Sequence, residues 1–210
     1  MGKQEEAYEY LKNAILTNEL LPETAISELV ISEKLSMSRT PIREALRKLE
    51  SDGLIVSYPS RGSFVTSVNA LDVEEIFSLR ALFEKWAFER SIYHISDAEL
   101  DELAEGFKIA RERSDWDLVH KTDRKLHRLI IDRAGSKRLA SFFDTLELQV
   151  ERIRLMGAKD PGRSRRSYEE HTQIINCIRE KDVKKGVKIL EQHLRSVSES
   201  AIRAARMIQA

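Results

Sequence analysis

Apolar residues recur at helical spacing along almost the whole chain, and the exceptions gather in one short stretch near residue 60. Leu11, Ile15, Leu16, Leu20 and Leu21 predict a first helix ending near Pro22. Ile26 to Leu35 reads as a second, with Leu29, Val30, Lys34 and Leu35 at helical spacing. Ser36-Met37 then leaves room only for a tight turn before a third helix, whose Ile42, Ala45, Leu46 and Leu49 share one face. Ser51-Asp52-Gly53 supplies its C-terminal stop. Strand-like runs follow at 54–58 and 63–66, around the turn Pro59-Ser60-Arg61-Gly62. Three helices, two of them closely joined, and a hairpin together predict a winged helix-turn-helix.

Ser67 to Leu71 is the expected linker. From Asp72 the helical pattern returns almost to the end, broken at Ser96-Asp97, Arg113-Ser114, Ala134 to Ser136, Gly157 to Ser164 and Lys181-Asp182. The breaks define about six helices with short connections suited to an antiparallel bundle. Ser96 and Glu99 form a capping box, and Gly157 to Arg163 is the longest and most mobile-looking connection. The expected fold is mainly α: a winged helix-turn-helix with a small β-hairpin wing over residues 1–69, and an all-α antiparallel bundle over residues 70–210.

The polar face of the third helix changes the picture from fold to function. Arg39, Arg43 and Arg47 are four residues apart and form one stripe opposite the apolar face. Pro41 sits in the first turn, where its missing N–H costs nothing, and Ser38 or Thr40 can cap the free donors. A helix anchored by its apolar face and carrying three guanidinium groups suits entry into the DNA major groove. Arg61, at the tip of the wing beside Gly62, suits contact with a phosphate or the minor groove.

In the bundle, the histidines stand out. Asp123 and His127 share a face with Val119, Leu126 and Ile130; His171 lies with Ile174, Ile175 and Ile178; His193 lies with Ile189, Leu190 and Val197. Leaving such inward polar groups unpaired costs ~1–3 kcal/mol each. For any one histidine an ordinary hydrogen bond is the simpler account. One divalent cation would satisfy all four residues together, and a carboxylate with three imidazoles suits zinc or nickel first, then manganese, cobalt or iron. His120, on a polar face with Trp116 and Arg124, and His94, at a helix end, are read as outside this set. Arg80 lies on the apolar face of Ile76, Phe77, Phe83 and Ala87, where it either pairs with Glu84 or holds a ligand carboxylate in two bonds. Arg154 is a second anchor of the same kind, on a segment too mixed to show its buried face.

Charge limits how the DNA reading can work. The chain carries 35 basic and 35 acidic residues, and residues 1–69 hold eight basic against ten acidic side chains, a net of −2. A DNA-binding module is usually basic. Here the positive charge is concentrated, with four basic residues and one acid between Ser36 and Lys48. Few phosphate contacts per subunit imply a shallow salt dependence, and tight binding then needs two copies on a two-fold operator. The single cysteine, Cys177, excludes an intramolecular disulfide and reads as an inert core residue. The polar, acidic start and the lack of any apolar run of membrane-spanning length fit a cytoplasmic protein.

The string from Ser38 to Leu46, with Leu49-Glu50-Ser51-Asp52-Gly53-Leu54-Ile55 and the wing Arg61-Gly62-Ser63-Phe64-Val65, closely resembles the GntR-type bacterial transcription regulators. The resemblance implies operator contacts from the positions of Arg39, Arg43, Arg47 and Gly62. Ser38, Arg39, Thr40, Arg43, Arg47, Arg61 and Gly62 are therefore the expected DNA-binding set. Two positions depart from the family pattern: Leu29 stands where an arginine often follows the glutamate, and Ser36 stands where the turn glycine is common. The C-terminal part is similar to the FCD domain of the FadR-like branch, in which Asp-x-x-x-His, a Glu-His pair and a final histidine bind a metal. These map onto Asp123, His127, Glu170-His171 and His193. Ser136 replaces a common asparagine.

The expectation is a metabolite-responsive, cytoplasmic regulator that binds a palindromic operator as a homodimer. A small organic acid at the metal site, held also by Arg80 and Arg154, would control it. The competing readings are a metal-dependent enzyme fused to a DNA-binding module, for which Glu170 is the nearest candidate base, and a regulator whose metal is purely structural.

Overall fold

The computed structural model describes residues 2–156 and 161–208. Its elements run α1 (Lys3–Leu16), β1 (Ala25–Ile26), α2 (Glu28–Lys34), α3 (Arg39–Ser51), β2 (Ile55–Tyr58), β3 (Gly62–Val65), α4 (Ala70–Ser91), α5 (Asp97–Glu112), α6 (Trp116–Arg133), α7 (Lys137–Met156), α8 (Pro161–Glu180) and α9 (Val183–Ile208). The wing belongs to a three-stranded antiparallel sheet in the order β1-β3-β2.

The first third departs from the periodicity in three places. α1 stops at Leu16 instead of reaching Pro22, and Leu21 is exposed. Ala25 and Ile26 are a strand, pairing with Phe64 and Ser63. The helix beyond them starts only at Glu28, because Ser27 is extended and its hydroxyl accepts from the Val30 N–H. Leu29 and Val30 face outward, while Ile31 enters the core. The edge of β3 captured the backbone of residues 25–26, a long-range pairing that helical spacing cannot reveal. Ser36 makes the α2–α3 turn at φ +50°, in the left-handed region where glycine is more usual.

α3 has its expected apolar face: Ile42, Ala45, Leu46 and Leu49 are buried against Ala7, Leu11 and Ile15 of α1, Ile31 of α2, Leu54 just before β2, and Val65 of β3. Ser38 occupies the N-cap position of α3 without a side-chain capping bond.

α4 begins at Ala70, ahead of the expected Asp72, because Asn69 caps it in a reciprocal box with Asp72. Ser96 and Glu99 form the expected box at the start of α5. Six helices, α4 to α9, pack around Phe88, Phe107, Leu126, Ile130, Phe143, Ile174, Ile178 and Leu190. Of the connection expected at Gly157 to Arg163, residues 157–160 lie outside the described residues, and α8 is already helical from Pro161. Cys177 is buried, and burial pushes its thiol above the usual value.

Gly186 is where α9 lies closest to its neighbours. A Cβ at that position would come within 2.4 Å of Phe88 Cζ and 3.1 Å of Cys177 Cβ. Phe88 is fully buried and has no room to yield. Gly186→Ala is therefore expected to destabilise the fold by about 1–2 kcal/mol, overpacking outweighing the gain in helix propensity. A urea midpoint at or above the parent's would contradict that.

Candidate metal centre and DNA-reading face

α6 carries Asp123 and His127 on one face, α8 carries His171 and α9 carries His193, so three helices aim four ligating residues at one point. One donor atom from each lies within 4.8 Å of those of the others. Asp123 Oδ1 is 2.6 Å from His171 Nε2, 3.3 Å from His127 Nε2 and 3.8 Å from His193 Nε2. All three imidazoles are buried, while Asp123 is partly exposed.

The outer ring nitrogens explain this orientation. His127 Nδ1 hydrogen-bonds Glu84 Oε2 of α4, His193 Nδ1 bonds Glu170 Oε2 at 2.8 Å, and His171 Nδ1 lies 3.4 Å from Ser167 Oγ. A carboxylate only accepts, so Nδ1 of His127 and His193 carries the proton and Nε2 faces the centre. Phe107 stacks on His171 with ring centroids 4.8 Å apart and closes the apolar side.

His127 Nε2 and His171 Nε2 are buried without a hydrogen-bond partner, the approach of Asp123 to His171 lacking the alignment of a bond. Two orphaned nitrogens beside a carboxylate are donors that one cation would satisfy together. A nitrogen-rich set with one carboxylate oxygen fits a divalent transition metal. Burial by itself would raise Asp123, but His171 and His127 hold it well below the ordinary carboxylate range. Burial alone would lower His127; Glu84 and Asp123 overcome this and raise it to about 9. In His171 burial wins and lowers the imidazole.

Glu84 extends the network. Arg80 Nε donates to its Oε1 at 2.5 Å while His127 takes Oε2, and the carboxylate is fully buried. Burial would raise it, yet Arg80 and His127 bring it down to about 2. The internal pair weighed against ligand binding at Arg80 is thus present, and it uses only Nε of the guanidinium.

A cavity of about 370 Å³, counting space open to solvent, borders the cluster. Arg80, Asp123, His127 and Arg154 all line it, with Phe143, Glu147 and Val150. Arg154 is paired with Glu151, and Arg124 with Glu147 at 2.8 Å. His120 lines the cavity too, although its polar neighbours on α6 had set it apart. It shares a helix edge with Asp123 and Arg124, and the missing signal was the arrival of α7 over that edge. Glu170, the candidate base of an enzyme, instead holds His193 from behind.

α7 has a second face. Leu148 packs on the core of the first domain, Gln149 Nε2 donates to the carbonyl of Asp52 at the end of α3, and Arg152 donates to Oγ1 and the carbonyl of Thr66 beyond β3. Arg152 is buried, and burial lowers its guanidinium to about 10 despite Asp72. Nothing in the sequence marks Arg152, because the mixed residues 151–155 conceal which face is covered.

On the first domain, Ser38, Arg39, Thr40, Arg43 and Arg47 are all exposed along one side of α3. Arg43 Nε donates to both carboxylate oxygens of Glu28, at 3.0 and 2.8 Å. Arg61 lies over the Tyr58 ring at 5.7 Å, and Gly62 adopts φ +95° at the start of β3. The arginine stripe and the wing tip are thus exposed, while the metal-type cluster is enclosed in the bundle.

Comparison with known proteins matches this two-part structure. Residues 3–65 fit the model of bacterial regulatory proteins of the gntR family, and residues 75–196 fit the FCD domain. The chain is 27% identical over 199 residues to the HTH-type transcriptional repressor RspR of Escherichia coli (strain K12), covering 93% of this chain and 87% of that protein. Its fold is similar to that of E. coli McbR/YncC, with a TM-score of 0.78 at 22% identity over 97% and 98% of the two chains. A GntR transcriptional regulator from Rhodococcus sp. RHA1 has a TM-score of 0.80 at 18% identity over 97% and 99%.

Calorimetric titration of the chelated protein with zinc or nickel is expected to give one ion per chain. Asp123→Ala and His193→Ala should abolish that stoichiometry, and Glu84→Gln should weaken binding about 10–100-fold by loosening His127. Full occupancy in His193→Ala would remove that residue from the set.

Proposed function

The chain belongs to the gntR family of bacterial regulatory proteins and carries an FCD domain behind its winged helix, and from that premise we propose a metabolite-responsive regulator controlled by a small organic acid at a metal centre. Residues 1–69 read DNA, and residues 70–210 bind the metal and the effector and form the dimer. Members of this family are transcription regulators and bind DNA, which leaves the fused metalloenzyme without support. No helix among the described residues is long and apolar enough to cross a membrane, in keeping with action in the cytoplasm.

The observation that carries the reading is a single helix with two duties. α7 lines the cavity beside the cluster with Glu147, Val150 and Arg154, and grips the end of α3 and the base of the wing with Gln149 and Arg152. An acid that draws the cavity wall inward thereby shifts the recognition helix. This is allosteric when the acid binds the two arrangements unequally.

Asp123, His127, His171 and His193 would hold zinc or nickel, or else manganese, cobalt or iron, and the bound ion supplies a Lewis-acidic point for a carboxylate or hydroxyl oxygen. Arg80, with Nε committed to Glu84, turns its two terminal amines to the same carboxylate, and Arg154 closes the cavity mouth. Leu79, Leu82 and Trp86 of α4 and Phe142 of α7 are exposed together on one side of the bundle and form the surface for a second copy. Two α3 helices then address the two halves of a palindromic operator through Arg39, Arg43 and Arg47, with Ser38, Thr40, Arg61 and Gly62 fixing their position on the backbone and groove.

Selection of duplexes from a random pool is expected to return a two-fold-symmetric site, which Arg43→Ala binds about 10–100-fold more weakly. Equal binding by that variant would remove Arg43 from the reading face. In a thermal-shift screen of small hydroxy- and dicarboxylic acids, a true effector near 100 times its Kd should raise the melting temperature by about 5 °C or more. The rise should vanish in the chelated protein and in Arg80→Lys, which keeps the charge beside Glu84 but loses the fork. A metal-loaded protein insensitive to every acid would instead favour a purely structural metal.

A further inference from the structure

The geometry points to Glu28 as a specificity-positioning residue: it orients Arg43 for base reading and discourages binding to DNA of the wrong sequence. The inference rests on α3 being the recognition helix.

Glu28 is the first residue of α2, and its carboxylate crosses the helix-turn-helix to meet Arg43. The contact is made to Nε alone, through both oxygens. Among the described residues no hydrogen bond or ion pair engages the terminal amines of Arg43, and its side chain is 59% exposed. The guanidinium is held from its side, with its outward fork unoccupied. Guanine O6 and N7 are read by such a fork, which must arrive in one plane. Arginine has a large rotamer entropy, and a side chain already held near its bound orientation loses less of it on binding.

Glu28 is also an anion on the exposed surface that carries the stripe. Leu29 follows it and adds no cation, and Lys34, at the far end of α2, is paired with Glu19. α2 therefore offers DNA no unpaired positive charge, in a domain whose net charge is −2. A carboxylate near the phosphates penalises every sequence equally, while the orientation it imposes on Arg43 rewards only the correct base. Discrimination gains from both effects. Among the described residues Arg39 and Arg47 have no ion pair, so within the stripe this arrangement is peculiar to Arg43. As a surface ion pair the contact adds little stability, so its effect on binding is separable from folding.

The test measures the affinity of the full-length protein, by fluorescence anisotropy at several salt concentrations, for the selected operator duplex and for a scrambled duplex of the same composition. Glu28→Ala is expected to bind the scrambled duplex at least as tightly as the parent and to lose about tenfold in the operator-to-scrambled ratio, within the range one base contact supplies. Its salt slope on scrambled DNA should steepen by about 0.9, one added phosphate contact. In an Arg43→Ala background the same change should leave the ratio untouched. A ratio kept within twofold by Glu28→Ala, while Arg43→Ala loses it, overturns the role of Glu28 and leaves the recognition helix intact. A ratio kept by Arg43→Ala fails the recognition-helix reading itself. A further tenfold loss in the double variant shows that Glu28 acts otherwise than through Arg43, and overturns the proposal. If Glu28→Ala lowers the melting temperature, Glu28→Gln, nearly isosteric and uncharged, is read against the same outcomes.

Discussion

A fully buried carboxylate shared by an arginine and a histidine is the contact on which the helical half of this molecule depends. Glu84 is fully buried, and Arg80 and His127 take its two oxygens between them. Removing either partner would leave a buried charge half-compensated, which is far more costly than the pair is stabilising. The three groups must therefore move together. Because Arg80 lines the cavity and His127 faces the metal-type cluster, any change in one is felt by the other.

The surrounding helices follow from that constraint. α4 supplies Arg80 and Glu84, α6 supplies Asp123 and His127, and α8 and α9 complete the set with His171 and His193. Glu170 does for His193 what Glu84 does for His127, fixing the outer nitrogen so that the inner one has a single direction. The rings pack on one another and on Phe107, so an apolar core holds polar ligands in place. α7 covers the open side and reaches to the first domain, where Gln149 and Arg152 bond to backbone carbonyls at Asp52 and Thr66. Bonds to backbone transmit displacement of a helix directly, without the slack of paired long side chains.

The first domain has a different economy. Its core is ordinary, and half of its eight basic residues fall between Ser36 and Lys48, on a module of net charge −2. With so little general attraction to phosphate, the proposed selectivity rests on geometry: the turn that joins α2 to α3, the side-on hold of Glu28 on Arg43, and the proposed pairing of two such modules. The weak charge is what makes a second copy part of the proposed reading.

Much of this was legible along the chain. The apolar face of α3 and the arginines opposite it follow from a period of 3.6, and the Asp123 and His127 spacing put both residues on one face of α6. His171 and His193 each betrayed themselves as polar residues on apolar faces. Contacts distant in sequence were not legible. β1 owes its existence to β3, the burial of Arg152 to the seating of α7 on the wing, and the place of His120 in the cavity wall to α7 crossing α6. Periodicity reports which face of an element is covered, and for an amphipathic helix that is enough to find its inward residues. It carries no information about which other element does the covering, so the bridging role of Glu84, the support from Glu170 and the link through α7 were decided by tertiary packing alone.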